Sequence, residues 1–154
     1  MKKTSAIFWT ILSPLLCFAQ INHLSVATPE KFVAKAGGTG DSKLTLQLRP
    51  GFHVNSNTPS DDYLIPLKIT WAAGPLQAVE VAYPKPKMEK YSFSEKPISV
   101  FSGDFVVVTK FKAPADAPPG TVAVTGKLRY QACNDTMCFP PKTIDVSQAV
   151  EIVK

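Results

Sequence analysis

Short segments in which apolar and polar residues alternate run through most of this chain, and they constrain its fold more than any other feature. The alternating segments are Lys43–Leu48, Ile65–Trp71, Ala78–Tyr83, Phe105–Phe111, Val122–Tyr130, Thr143–Val146 and Ala149–Val153. A period of two residues places successive side chains on opposite faces of an extended strand. Because no window has the 3.6-residue period of a helix, these segments predict β-strands.

Turn-forming residues separate the predicted strands. Glycine and proline recur in the intervals Gly37-Gly38, Arg49–Gly51, Ala73–Pro75, Ser102–Asp104 and Ala117–Gly120, and the chain contains 14 prolines. This pattern predicts an all-β fold, an immunoglobulin-like antiparallel β-sandwich. No repeat or linker divides the sequence, so we expect residues 20–154 to form one domain, which is long enough to bury about two-thirds of its unfolded surface.

The first 19 residues have the features of a secretory signal peptide. Two lysines precede an apolar run over residues 6–18 that is too short to span a bilayer, and Ala19 offers a small residue for cleavage. Leu16 is bulky where lipoprotein processing at Cys17 requires a small residue. A membrane anchor is the alternative; we predict cleavage after Ala19 and a soluble periplasmic product.

The charge of the mature chain excludes some classes of partner. Cleavage removes two of the 17 basic residues and none of the 12 acidic ones, which leaves a formal charge of +3. Nucleic-acid binding requires a dense basic patch interleaved with stacking aromatics, and the sequence has none. Lys85, Lys87 and Lys90 lie among prolines, as expected for a solvated surface. No phosphate-binding loop, paired-carboxylate site or nucleophile elbow is present, and we predict no cofactor.

The mature chain keeps two cysteines, Cys133 and Cys138, in the predicted hairpin between its last two long strands. An even pair in an exported protein predicts a disulfide. A ring of six residues contributes only about 2 kcal/mol of loop entropy. A structural bridge more naturally ties distant strands together, so the small ring favours redox chemistry over a purely structural role.

Two segments of the chain are similar to a known family. They are Tyr130-Gln-Ala-Cys133 with Cys138-Phe-Pro-Pro-Lys-Thr143, and Gly51–Pro59 with Leu64–Lys68. Together they resemble the N-terminal periplasmic domain of the thiol:disulfide interchange protein DsbD, and the resemblance covers roughly residues 24–153. It implies an immunoglobulin-like module of a protein-disulfide reductase, monomeric and without a metal. Such a module takes reducing equivalents from a membrane-embedded thiol reductant and passes them to exported thioredoxin-fold proteins.

The resemblance also implies roles for individual residues. Cys133 and Cys138 would be the redox pair, with Cys138 forming the mixed disulfide with a partner. An aromatic cap loop shields the disulfide in this family, and the matching region here, residues 88–97, offers Tyr91 or Phe93 as the lid. Tyr130 and Phe139, which flank the cysteine segment, are candidate supporting residues.

The chain departs from the family pattern at two points. Four residues separate the cysteines, one fewer than in the best-known member. The chain also ends at Lys154 without the transmembrane segments or the thioredoxin-like domain of such proteins. We therefore expect either a stand-alone homologue or a product whose membrane partner is a separate polypeptide.

The residues around the ring indicate how readily its thiols ionise. Thiolates are favoured by a neighbouring cation or a helix N-terminus, and the ring provides neither. Asp135 lies within the ring and opposes ionisation, while Arg129 and Lys142 flank it. We predict an unactivated pair that donates electrons within a docked complex and is a poor oxidant.

Other chemistries have less support in the sequence. The only histidines are His23 and His53, so a hydrolase or a zinc site lacks ligands, and we predict that His53 lies on a strand face with its polar tip in water. A copper(I) site formed by the two cysteines and Met137 is the metal alternative. The alternative function is a non-catalytic immunoglobulin-like domain that binds a protein and keeps a structural local disulfide.

Overall fold

A computed structural model describes residues 22–154 of the chain. The predicted signal peptide, residues 1–19, lies outside this part. Strands and loops account for residues 22–154, and none of them lies in a helix, so no helix capable of crossing a bilayer occurs there. The strands are β1 (Leu24–Val26), β2 (Phe32–Lys35), β3 (Thr39–Leu48), β4 (His53–Asn55), β5 (Lys68–Trp71), β6 (Gln77–Ala82), β7 (Lys87–Glu89), β8 (Ile98–Ser102), β9 (Phe105–Lys112), β10 (Gly120–Tyr130), β11 (Ala132–Cys133) and β12 (Lys142–Val153).

The strands form three four-stranded sheets. The first has the order β1-β3-β9-β6, the second β2-β12-β10-β5 and the third β11-β4-β8-β7. All strand pairs are antiparallel except β2 and β12, which run parallel. The predicted terminal hairpin is confirmed: β10 and β12 pair continuously from Gly120 opposite Ile152 to Tyr130 opposite Lys142.

The alternation seen in the sequence corresponds to burial in the core. Strand β10 buries every second residue from Val124 to Tyr130, and β3 buries Leu44, Leu46 and Leu48. The main hydrophobic cluster takes residues from all three sheets, and a second cluster around Phe111 and Val150 lies apart from it. Each fully buried side chain of this size contributes about 1.5–3 kcal/mol, so this patterning is the main reason the chain folds as a sandwich.

The third sheet is buried on both faces at its centre. From one face Val54 and Phe101 enter the main core. From the other, Ile98 and Val100 form a small cluster with Leu64, which is covered by the β7–β8 connection. Strands buried on both sides lack alternation, so the alternating pattern marked neither β4 nor β8. The prediction that His53 lies on a strand is confirmed.

Candidate redox site

The two cysteines close a tight hairpin at the point where the chain passes from the second sheet to the third. Cys133 and Cys138 form a disulfide with their Cα atoms 4.0 Å apart. On either side of the bond, the Asn134 amide donates to the Met137 carbonyl at 2.9 Å, and the Phe139 amide donates to the Ala132 carbonyl at 2.8 Å. The cysteines therefore face each other across a hairpin, as the sequence predicted.

Asn134 fixes the shape of this ring. Its side-chain oxygen accepts hydrogen bonds from the Thr136 amide at 3.0 Å, the Thr136 hydroxyl at 3.0 Å and the Met137 amide at 2.9 Å. Asparagine commonly stabilises a turn through such local bonds to its own backbone. None of these bonds involves sulfur, so they can hold the two cysteines close together when the disulfide is open.

The two sulfur-bearing residues differ in their access to solvent. Cys133 is fully buried, with 0% of its surface exposed, whereas Cys138 is partly exposed. Met137, which precedes Cys138, is 52% exposed. A protein partner can therefore approach the ring from the side of Cys138, while Cys133 lies beneath it.

Gln131 anchors the ring to the rest of the domain. Its side-chain oxygen accepts hydrogen bonds from Asn55 Nδ2 at 3.1 Å and from the Ile65 amide at 3.2 Å. Its side-chain nitrogen donates to the Phe139 carbonyl at 3.2 Å, directly after the second cysteine. One side chain thus connects the entry of the ring, its exit and the loop that follows β4.

His53 lies directly opposite Cys133, and the prediction that its polar tip reaches water was wrong. A turn over Arg49–Phe52, with a 3.1 Å hydrogen bond from the Phe52 amide to the Arg49 carbonyl and Gly51 at φ +80°, leads the chain into β4. His53 is then the antiparallel partner of Cys133, and it is only 2% exposed. Its Nε2 atom is buried and has no hydrogen-bond partner.

Two aromatic side chains of the loop between β7 and β8 cover His53. The Tyr91 ring stacks on the imidazole with centroids 3.9 Å apart, and Phe93 stacks on Tyr91 at 5.5 Å. The Tyr91 hydroxyl donates to the Glu89 carboxylate. The Ser92 hydroxyl donates to the Asp135 carbonyl at 2.7 Å, which joins this loop to the cysteine ring. Both candidate lid residues therefore belong to one stack, with Tyr91 next to the histidine.

The flanking aromatics Tyr130 and Phe139 have different positions. Tyr130 is buried in the main core, where desolvation raises the pKa of its hydroxyl. Phe139 lies in a second aromatic cluster, with its centroid 4.8 Å from the His23 ring and 5.8 Å from that of Phe52. His23 and Phe52 stack at 4.1 Å. One aromatic cluster thus lies against His53, the strand partner of Cys133, and the other contacts Phe139, which follows Cys138.

Burial lowers the pKa of both histidines, but the charges around them differ. The pKa of His53 is lowered by desolvation, and the carboxylates of Glu89 and Asp135 oppose that shift. The pKa of His23 is lowered by desolvation and further by the cations of Lys142 and Arg49. Both imidazoles are accordingly neutral at neutral pH.

The residues that flank the ring do not place a cation inside it. Lys142 Nζ donates to Asn22 Oδ1 at 3.3 Å, and Arg129 is exposed on β10 opposite Thr143. Within residues 22–154 no cluster of three histidine, cysteine or acidic side chains is arranged to hold a metal ion.

A known protein family matches the part of the chain that contains this site. The family described as "Thiol:disulfide interchange protein DsbD, N-terminal" matches residues 23–149, which confirms the family predicted from the cysteine segment. No curated protein matches the chain.

One solved structure supports the fold. The N-terminal periplasmic domain of ScsB from Proteus mirabilis superposes with a TM-score of 0.56 at 17% identity, over 87% of this chain and 48% of that one. This chain thus spans about half the length of that structure. The seventh ScaB type I cohesin from Pseudobacteroides cellulosolvens gives a TM-score of 0.46 at 16% identity, over 84% and 92% of the two chains. The predicted immunoglobulin-like β-sandwich is confirmed.

Proposed function

The chain belongs to the family of the N-terminal domain of the thiol:disulfide interchange protein DsbD, and from this premise we propose that it exchanges its Cys133–Cys138 disulfide with partner proteins. The observation that carries the proposal is the unequal access to the two cysteines. A partly exposed Cys138 and a buried Cys133 on one hydrogen-bonded hairpin suit a two-step exchange, in which one sulfur meets the partner and the other resolves the complex.

The exchange balances in atoms and electrons. The Cys138 thiolate attacks one sulfur of a partner disulfide, which forms a mixed disulfide and releases one partner thiolate. The Cys133 thiol then loses its proton and attacks Cys138 Sγ, which closes the Cys133–Cys138 bond and expels the second partner sulfur. The domain is oxidised by two electrons, and the partner becomes a dithiol after taking up two protons.

We assign the domain the role of an electron donor to its acceptors. Asp135 in the ring disfavours thiolate formation, so the free dithiol is weakly reactive until a partner docks. The electrons would come from a membrane-embedded thiol reductant and pass to exported thioredoxin-fold proteins, in the periplasm, with residues 1–19 removed as a signal peptide. The domain would act as a monomer and as a protein-disulfide reductase module without a cofactor.

The stacked loop residues Tyr91 and Phe93 would act as a cap. They cover His53, which shares a sheet face with Cys133, and Ser92 ties their loop to the ring. Because Ser92 holds the loop against Asp135 of the ring, a partner that docks at Cys138 would meet this loop and would have to displace it. The cap would therefore restrict exchange to partners whose binding compensates for opening it.

Trapping of the mixed disulfide tests the proposal. The reduced variant Cys133→Ser, mixed with an oxidised thioredoxin-fold protein, should accumulate a covalent complex through Cys138 that reducing agent dissolves. Cys138→Ser should form no such complex, although both variants should stay folded, because only about 2 kcal/mol of loop entropy is lost.

Two outcomes would contradict the proposal. One is a folded Cys133→Ser variant that never forms a mixed disulfide. The other is a loss of folding in both variants together with an inert wild-type disulfide. Either result would favour a structural disulfide in a protein-binding sandwich.

A further inference from the structure

The buried position of Cys133 raises a question that the exchange scheme leaves open. Before it can attack Cys138, the Cys133 thiol must lose a proton in a site without solvent exposure. Burial raises the pKa of a thiol, and the ring supplies no cation to counter this. Some group on the buried face has to take the proton.

His53 is the side chain best placed to do so. It is the direct antiparallel partner of Cys133, and such partners have their side chains on the same face with Cβ atoms about 4.5–5.5 Å apart. Its Nε2 is buried without a hydrogen-bond partner, which is uncommon for a polar atom in a protein interior. The unpaired Nε2 atom of His53 can therefore accept the proton that the Cys133 thiol has to lose.

We propose that His53 is the proton acceptor for Cys133 in the resolving step of exchange, an inference that rests on the function proposed above. In the tautomer protonated at Nδ1, Nε2 accepts the Cys133 proton as the sulfur attacks Cys138 Sγ. The departing partner sulfur leaves as a thiolate. The imidazolium then returns its proton to that thiolate or to water, and the electron balance of the exchange is unchanged.

The surroundings of His53 support proton transfer. His53 lines a surface groove together with Arg49, Glu89, Tyr91, Ser102 and Asp135, and this groove would give the proton a route to solvent. The acidic groups of Glu89, on β7, and Asp135, in the ring, stabilise the imidazolium once it forms. Burial keeps the pKa of His53 below its ordinary value, so the resting ring is neutral and available as a base.

The alternative role for His53 is mechanical, because its ring also forms the floor of the Tyr91 stack. His53→Phe separates the two roles: phenylalanine keeps a flat aromatic ring beneath Tyr91 but cannot accept a proton. His53→Gln is the second variant, which keeps polarity without a basic nitrogen. His23→Phe is the matched control, since His23 also lies in an aromatic stack with a buried, unpaired ring nitrogen.

The experiment follows the two steps separately. Reduced protein is mixed with one equivalent of the chromogenic disulfide dithiobis(nitrobenzoate): attack by Cys138 releases one coloured thiol, and resolution by Cys133 releases the second. We expect His53→Phe and His53→Gln to leave the first release unchanged and to slow the second about 100-fold near neutral pH. His23→Phe should match the wild type in both steps.

The pH profile distinguishes the chemical role from the mechanical one. In the His53 variants the second step should accelerate about tenfold per pH unit, as the thiolate fraction of Cys133 rises, and should approach the wild-type rate in alkaline solution. An unchanged second step, or a deficit of equal size at every pH, would overturn the role of His53. Absence of a second release from the wild-type protein would instead overturn the proposed function itself.

Discussion

Both aromatic clusters beside the disulfide contain a stacked histidine, but the charges around the two histidines are opposite. In each, a histidine stacks on an aromatic ring and keeps a buried nitrogen without a partner: His53 on Tyr91 at the cap, and His23 on Phe52 next to Phe139. Two carboxylates act on His53, whereas two cations act on His23. Both imidazoles are neutral at neutral pH, but the carboxylates favour protonation of His53 and the cations oppose protonation of His23.

The two clusters also differ in their position relative to the cysteines. His53 lies on the strand that pairs with Cys133, so its cluster lies on the sheet face that carries the resolving cysteine. The His23 cluster contacts Phe139, beyond Cys138, where the chain leaves the ring. We interpret the first as part of the exchange machinery and the second as an anchor for the end of the ring.

Removal of one aromatic ring from each cluster should separate the two clusters most clearly, in the rate of disulfide reduction. Tyr91→Ala deletes the stack over His53, and such stacks are worth about 0.5–1.5 kcal/mol, so the disulfide should react with dithiothreitol up to about tenfold faster. Phe52→Ala should lower the free energy of unfolding by about 2 kcal/mol, because it removes a partly buried ring, and should change the rate of reduction little. Stopped-flow reduction and urea unfolding measure the two quantities. Equal acceleration by both variants would remove the distinction between cap and anchor.

Both histidines should make the stability of the domain depend on pH. Both histidines have folded-state pKa values below the unfolded value of about 6.5, so the unfolded chain binds more protons and stability falls as the pH drops below that value. Each contributes a slope of at most about 1.4 kcal/mol per pH unit. His23→Phe and His53→Phe should each flatten the curve, because each removes one group whose pKa is lowered in the folded state. Urea titrations at several pH values test this, and an unchanged pH dependence in either variant would contradict it for that histidine.

The smallest expected effect lies in the charges themselves. Glu89→Gln removes a carboxylate that favours the His53 imidazolium, and Lys142→Gln removes a cation that disfavours that of His23. The pKa of His53 should fall and that of His23 should rise. NMR titration of the two imidazoles measures both pKa values. Unchanged pKa values in both variants would show that burial alone sets them.

Much of the fold was readable from the sequence because one face of each long strand is buried and the other is solvated. The hairpin of β10 and β12 follows from that alternation, and the facing cysteines follow from the hairpin. The third sheet was not predicted, since β4 and β8 are short and buried on both faces. The parallel pairing of β2 with β12 also left no local signal in the sequence.

The site was predicted in part. The cysteine segment identified Cys133 and Cys138, and the Tyr91–Phe93 region was singled out as a cap by its resemblance. The burial of His53 could not be read from its neighbours, because it depends on β11 and the cap loop, both distant in sequence. Asn134 had a local signal that was missed: an asparagine at the start of a short ring commonly makes a side-chain turn.

The equilibrium redox potential of the Cys133–Cys138 pair decides whether this disulfide can take part in exchange. It can be measured in glutathione buffers by mass-tagging the free thiols of the intact protein. An exchange domain should have a potential well above about −300 mV, within reach of its partners. A disulfide that stays closed throughout the buffer range, with a potential below that value, would be a structural bond and would contradict a role in exchange.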